Sequence, residues 1–171
     1  MIKSFQNTAP KIHETAYITD DAIIIGDVEI GAESSVWFGS ILRGDVNSIR
    51  IGSRTNIQDG TIIHVSRKTH STVLEDEITV GHRVVLHGCY IETGCLIGIG
   101  SIILDGVRVG RDSLVAAGSL LTPNTNIPPR SLVLGSPAKV KRELSDAEVE
   151  DLSKFWRNYV SLSRIYKNQL P

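Results

Sequence analysis

The chain contains few cysteines, few aromatic residues and no excess of positive charge. Among its 171 residues, 2 are cysteines, 5% are aromatic, and 18 Lys and Arg against 19 Asp and Glu give a formal net charge of −1. Without a basic surface, we expect no binding to nucleic acid or to an anionic membrane. Cys89 and Cys95 form no metal or redox motif, and no disulfide framework is indicated.

The N-terminal region also lacks an apolar segment preceded by positive charge. Neither a secretory signal nor a membrane span is therefore predicted, and we expect a cytoplasmic protein. The few aromatic residues, the 15 glycines and the 41% hydrophobic content suit tight coils stacked on β-branched side chains. A bulky globular core fits this composition less well.

What the sequence does have is an aliphatic residue at nearly every sixth position. This period fits neither an amphipathic helix nor a two-residue alternation, and it is typical of a solenoid built from short strands and turns. Three-sided coils counted from Ile12 have irregular spacing only after their third face, following Leu42, Ile63 and Leu86. The aliphatic positions are Ile12, Ile18, Ile24, Ile30, Val36, Leu42, Ile51, Ile57, Ile63, Leu74, Val80, Leu86, Ile91, Ile97, Ile103, Val109, Val115, Leu121, Ile127 and Val133.

The same count places polar side chains in two outward columns. Arg43, His64 and His87 follow third-face aliphatic residues, whereas Asp59 and His82 follow second-face ones. Neighbouring strands lie about 4.8 Å apart, so His64 and His87 can share one zinc ion with Zn–N bonds of about 2.0 Å. If His82 is the third ligand, the simplest packing joins faces of neighbouring subunits in a ring of three.

Four residues near these histidines each allow a structural and a functional interpretation. Arg43 forms either a solvated corner ion pair or a fork that clamps a carboxylate across an interface, and the convergence of its column favours the clamp. Gln58 and Asp59 either satisfy turn backbone groups, or hydrogen-bond a metal-bound water and anchor a neighbour's Arg43. His70, in the longest insertion, is either an exposed loop residue or a spare ligand or proton carrier.

The chain divides into a β-helix over residues 1–140, with the repeat from about 12 to 136, and a helix over residues 141–171. Ser145 and Glu148 form a capping box, and apolar residues then recur at intervals of three and four. This amphipathic helix is expected to pack along the β-helix. Two of its residues are further candidates for the site, Asn158 and Tyr159.

In its repeat and motifs the chain resembles the gamma-class carbonic anhydrases and their bacterial relatives over nearly its whole length. The resemblance implies an all-β solenoid, a left-handed parallel β-helix of triangular section with a C-terminal helix. The motifs that carry it are Arg43-Gly44-Asp45, Asn56-Ile57-Gln58-Asp59-Gly60, His64, Gly81-His82-Arg83-Val84-Val85-Leu86-His87-Gly88-Cys89 and Leu134-Gly135-Ser136-Pro137-Ala138-Lys139.

The resemblance further implies a homotrimer with three metal ions at its interfaces. Each ion is held by His64 and His87 of one subunit and by His82 of the next, with Gln58 near a metal-bound hydroxide. That hydroxide hydrates carbon dioxide to bicarbonate, with zinc as the expected metal and iron(II) or cobalt as alternatives. The residues implied in interface ion pairs are Arg43, Asp45 and Asp59.

Two positions depart from the archaeal prototype of the family. Val46 and Arg67 stand where the prototype has glutamates that serve proton transfer. Because regenerating the hydroxide needs a proton relay, we expect metal binding with slow turnover.

Three other functions stay open at the level of sequence. A hexapeptide-repeat acyltransferase uses one histidine as a base and no metal, and three histidines in two converging columns argue against it. A thioesterase acting on coenzyme A esters uses the same metal chemistry as the anhydrase. A non-catalytic protein that binds a metal or an iron chelate is the third, because fold likeness fixes sites better than activities.

Overall fold

The computed structural model describes residues 1–169, which form short strands followed by one helix, α1 (Asp146–Gln169). The strands of this part are β1 (Ile2–Lys3), β2 (Lys11–Ile12), β3 (Tyr17–Ile18), β4 (Ile23–Ile30), β5 (Ser35–Val36), β6 (Ile41–Ile51), β7 (Asn56–Ile57), β8 (Ile62–His64), β9 (Thr72–Leu74), β10 (Thr79–Val80), β11 (Val85–His87), β12 (Tyr90–Ile91), β13 (Leu96–Ile97), β14 (Ile102–Ile103), β15 (Arg108–Val109), β16 (Leu114–Val115), β17 (Leu120–Leu121), β18 (Asn126–Ile127), β19 (Ser131–Gly135) and β20 (Ala138–Glu143).

Parallel pairing between successive coils builds the three faces of a prism. The first face contains β2, β9, β12, β15 and β18 with the C-terminal parts of β4 and β6. The second contains β3, β5, β7, β10, β13, β16 and β19, and the third contains β8, β11, β14 and β17 with the N-terminal parts of β4 and β6. The predicted parallel β-helix of hexapeptide repeats is therefore confirmed.

The register of this pairing joins the sixth-position aliphatic residues of adjacent coils. On the third face Leu42 pairs with Ile63, Ile63 with Leu86, and Leu86 with Ile103. All four side chains are fully buried in the interior of the prism. Burying each such side chain contributes about 1.5–3 kcal/mol to folding, so every coil adds to one continuous core.

The irregular spacings all fall at the corner between the third and first faces, as predicted. β6 continues around this corner, so that one strand serves both faces. One coil later the insertion at residues 65–71 projects there, closed by a 2.9 Å hydrogen bond from Ser66 N to His70 O. Extra residues are tolerated at a corner because they leave the paired faces in register.

The outward rows of the three faces differ in chemistry. The first-face row is mostly polar, and Lys11, Glu29 and Arg50 form ion pairs along it. Helix α1 packs on β3, β5 and β7 of the second face. The third-face row is wholly aliphatic, with Ile62 44% and Ile102 40% exposed. Its members in chain order are Ile23, Ile41, Ile62, Val85, Ile102 and Leu120.

Helix α1 begins at the predicted capping box. Ser145 N donates to Glu148 Oε2 at 2.9 Å, and Glu148 N donates to Ser145 Oγ at 3.3 Å. The helix starts at Asp146, because β20 continues past residue 140 as an antiparallel partner of β19. No helix within residues 1–169 is long and apolar enough to cross a membrane.

The stacked core predicts that the two neighbouring residues of β18 differ in their contribution to the free energy of unfolding. Ile127→Ala should lower the free energy of unfolding by about 2–5 kcal/mol, because it leaves a cavity between coils. Asn126→Ala, on the exposed side of the same strand, should change it by at most about 0.5 kcal/mol. Denaturant unfolding at one protein concentration measures both, and equal losses would contradict the stacked core.

Candidate metal site

The parallel pairing of β8 with β11 brings two of the three predicted ligand histidines together. His64 and His87 are register partners, and His64 Nδ1 lies 3.1 Å from His87 Nε2. Two nitrogens on one tetrahedral zinc ion, each at about 2.0–2.1 Å, lie about 3.3 Å apart. The observed separation therefore fits two ligands of a single ion.

A carboxylate contacts the other nitrogen of each ring. Asp45 Oδ1 lies 2.9 Å from His64 Nε2, and Asp105 Oδ1 lies 2.6 Å from His87 Nδ1. A carboxylate that accepts the remote N–H of an imidazole fixes its tautomer and makes the facing nitrogen a better ligand. With those protons on the carboxylate side, both rings would present unprotonated nitrogens towards the gap between them, as a shared metal ion requires.

Hydrogen bonds keep both carboxyl groups ionised. Burial raises the pKa of Asp45, but hydrogen bonds from His64 and Arg43 outweigh it and hold the pKa below its usual value. Burial likewise raises the pKa of Asp105, and hydrogen bonds from Ser66 and His87 lower it by more. Each group is therefore an acceptor at neutral pH, as the contact with an N–H requires.

His82 lies at the opposite edge of the third face, at its corner with the second face. Its Nδ1 is 2.8 Å from Asp59 Oδ2 of the preceding coil, as the column count predicts. Gly81, just before His82, lets the following coil approach closely, because a Cβ there would come within 2.8 Å of Ile99 N. Within residues 1–169, no three His, Cys, Asp or Glu side chains converge as a metal cluster. One chain therefore carries two parts of the predicted site on separate edges.

Gln58 lies beside the His82 column and is held in one orientation. It is 6% exposed, and its Nε2 donates to Asn56 Oδ1 at 3.1 Å. Asn56 in turn donates to Thr79 Oγ1 at 2.9 Å. This chain of hydrogen bonds leaves the amide oxygen of Gln58 available as an acceptor. The side chain lines a largely apolar groove of about 340 Å³ with Ile99 and Phe155.

The other candidate residues surround these two edges. Arg43 Nη1 donates to Asp45 Oδ2 of its own chain at 2.5 Å, so its contact with a neighbour's Asp59 stays a prediction. Tyr159 packs on Trp37 at 5.3 Å between ring centroids. Burial and the charge of Asp59 raise the pKa of Tyr159. Asn158 is exposed on the helix.

Loop residues border the His64 and His87 pair. His70 is partly buried, and its Nδ1 has no hydrogen-bond partner within residues 1–169. Val46 packs against the core, whereas Arg67 is exposed, and neither supplies a carboxylate. Cys89 is buried among the core residues, and this burial raises the pKa of its thiol to about 12.

Sequence reasoning missed Asp105 and Asn56. Asp105 stands two residues after the aliphatic Ile103, the same offset as Asp59 after Ile57. Extending the His64 and His87 column by one coil leads to Leu104, so the count of residues does not find Asp105. Asn56 directly precedes an aliphatic position, and nothing in the sequence signals its hydrogen bond with Gln58.

The chain is similar in sequence to known hexapeptide-repeat proteins and carbonic anhydrases. A family model described as a hexapeptide repeat of succinyl-transferase matches residues 89–123. "Carbonic anhydrase" of Geobacillus kaustophilus is 44% identical over 167 residues, which cover 98% of this chain and 91% of that protein. "Gamma carbonic anhydrase 2, mitochondrial" of Arabidopsis thaliana is 43% identical over 94% of this chain. The chain spans 60% of the length of that plant protein.

A solved structure is similar to the whole molecule. A putative acetyltransferase of Bacillus cereus superposes with a TM-score of 0.96 at 44% identity, over 98% of this chain and 96% of that one. Fold and site thus define a hexapeptide-repeat β-helix protein with paired surface histidines. Within that class, the chain belongs to the gamma-class carbonic anhydrase family.

Proposed function

We propose that the protein is a carbonic anhydrase whose metal ion is held between subunits of a homotrimer. The observation that carries the proposal is the 3.1 Å approach of His64 Nδ1 to His87 Nε2, with a carboxylate on the opposite nitrogen of each ring. The relatives named carbonic anhydrase support it, because their similarity extends over nearly the whole chain.

The aliphatic third face supports assembly from identical copies. Its outward row carries no charged or polar side chain, while the first face carries ion pairs and α1 packs on β3, β5 and β7 of the second. Apolar surface of this extent favours contact with another protein surface. The His64 and His87 edge and the His82 edge border this face on opposite sides. A ring of three copies joined along it brings one edge of each kind together at every interface.

The proposed ligands are His64 and His87 of one subunit and His82 of the next. Three neutral imidazoles that leave one position open are a donor set of catalytic zinc, and iron(II) and cobalt accept the same donors. When bound, such an ion supplies the Lewis acidity that lowers the pKa of water towards about 7. The carboxylates beside the rings keep each imidazole oriented with one nitrogen free.

Carbon dioxide suits the groove beside this site. The groove is lined mainly by aliphatic side chains, which accept an uncharged linear molecule without a dipole. Gln58 and Thr79 are the polar side chains of its wall, and the amide oxygen of Gln58 can orient the attacking water by accepting a hydrogen bond. Water and carbon dioxide then give bicarbonate and one proton.

The carboxylates beside the proposed ligands, those of Asp45, Asp59 and Asp105, already contact histidine or arginine, which leaves few free carriers for the released proton. Val46 and Arg67 offer no carboxylate, so the proton leaves through water or through the nearby His70. A slow proton exit limits turnover rather than substrate binding. We therefore propose a carbonic anhydrase of low turnover.

The aliphatic face predicts the assembly state. Ile62→Asp should convert the trimer to smaller species, because it places a carboxylate in an apolar interface. Asn126→Asp makes a similar change on the first face and should leave the assembly intact. Analytical ultracentrifugation measures both, and a wild-type protein that sediments as a monomer would contradict the proposed trimer.

Mixing two inactive variants tests whether the ligands come from different subunits. His64→Ala and His82→Ala should each bind no zinc at the site when assembled alone. Unfolded together and reassembled at random, they should regain about a quarter of the wild-type sites, because a mutant subunit of each kind then contributes its intact edge. No recovery of bound zinc, with trimers formed, would contradict a shared site.

Stopped-flow measurement of carbon dioxide hydration tests the activity. The zinc-loaded or anaerobic iron-loaded wild type should hydrate carbon dioxide above background, and Gln58→Ala should lower the rate about 100-fold because the water loses its orientation. Asn126→Ala is the matched control. If the metal-free protein instead transfers an acetyl group from acetyl coenzyme A to an amine, the acyltransferase function replaces this proposal.

A further inference from the structure

We infer that Asp105 is a positioning residue that orients His87 and couples this ring to the insertion after His64. This inference rests on the proposed metal site. It concerns a residue of the following coil, beyond the three histidines and their motifs. Asp105 lies just after β14, which pairs with the strand that carries His87.

Both carboxylate oxygens of Asp105 are used, each by a different segment. Oδ1 lies 2.6 Å from His87 Nδ1, and Oδ2 accepts a hydrogen bond from Ser66 Oγ at 2.6 Å. Ser66 is the second residue after His64 and begins the projecting insertion. The Asp105 carboxylate therefore links the His87 ring to the segment that follows His64.

Gly88 provides the space that Asp105 occupies. Its φ is +58°, and the position that a Cβ would take there is filled by Asp105 Oδ1, with His70 Cβ 2.7 Å away. A side chain at residue 88 would displace the carboxylate from His87. A glycine is therefore needed at position 88 because only a residue without a side chain lets the Asp105 carboxylate reach the His87 ring.

The contact determines which nitrogen of His87 faces His64. With the Nδ1 proton donated to Asp105, His87 Nε2 is unprotonated and lies 3.1 Å from His64 Nδ1. Without the carboxylate, the ring is free to turn and to exchange tautomers. Loss of such an outer contact typically weakens metal binding about 10- to 100-fold.

Two substitutions at residue 105 and one at residue 66 separate orientation from loop anchoring. Asp105→Ala removes the acceptor and should weaken zinc binding about 10- to 100-fold in competition with a chromogenic chelator. Asp105→Asn keeps an acceptor oxygen and should lose less. Ser66→Ala removes only the loop contact and should bind zinc with nearly wild-type affinity.

A second readout needs no metal. Nitrogen-15 NMR of the metal-free protein should show the Nδ1–H tautomer of His87 in wild type and Ser66→Ala, and a tautomer mixture in Asp105→Ala. Circular dichroism and sedimentation confirm that each variant is folded and assembled. If Asp105→Ala does not fold, the same measurements on Asp105→Asn are compared with those on wild type and Ser66→Ala.

The outcomes distinguish this inference from the proposed function. Wild-type zinc affinity and tautomer in folded Asp105→Ala, or an equal loss in Ser66→Ala, would overturn the role of Asp105. A wild type that binds no zinc would overturn the proposed metal site, and the tautomer measurement would still decide whether Asp105 orients the ring. A zinc-bound wild type without hydration would overturn only the activity.

Discussion

The hydrogen-bonded register between stacked coils is the constraint on which the site depends. Each coil rests on the previous one with its aliphatic residues in line, so side chains at equal offsets from those residues form columns. A shift of one residue would turn the interior side chains outward and lose their burial. The core therefore sets the positions of the histidines, although none of them belongs to it.

The same constraint explains why one chain places the proposed ligands at two separate edges. Residues after third-face strands and residues after second-face strands lie at different corners, with a whole face between them. His64 and His87 share one corner, and His82 shares the other with Asp59. The aliphatic face between the corners is the surface that a second copy would cover. In the proposed trimer, assembly and metal binding would be one event, since the contact that buries the face would also complete the ligand set.

Much of this arrangement could be predicted by counting residues. The pairing of His64 with His87, the position of Asp59 beneath His82 and the corner of the insertions all follow from the six-residue period. The contacts of Asp45 and Asp105 could not be derived in this way, because they depend on side-chain torsions and on the path of the chain around a corner. The start of α1 differs from the expected boundary because β20 continues the sheet first. The aliphatic outward row of the third face can be read in the sequence. Its proposed role as an interface could not be, because the sequence does not show on which face the helix packs.

The most direct test is to locate the ion itself. Anomalous diffraction at the zinc edge from crystals of the zinc-loaded protein should place one ion per chain between subunits, bound by His64 and His87 of one subunit and by His82 of its neighbour. An ion held by one chain alone, or zinc-loaded crystals in which these three rings point away from one another, would contradict the account.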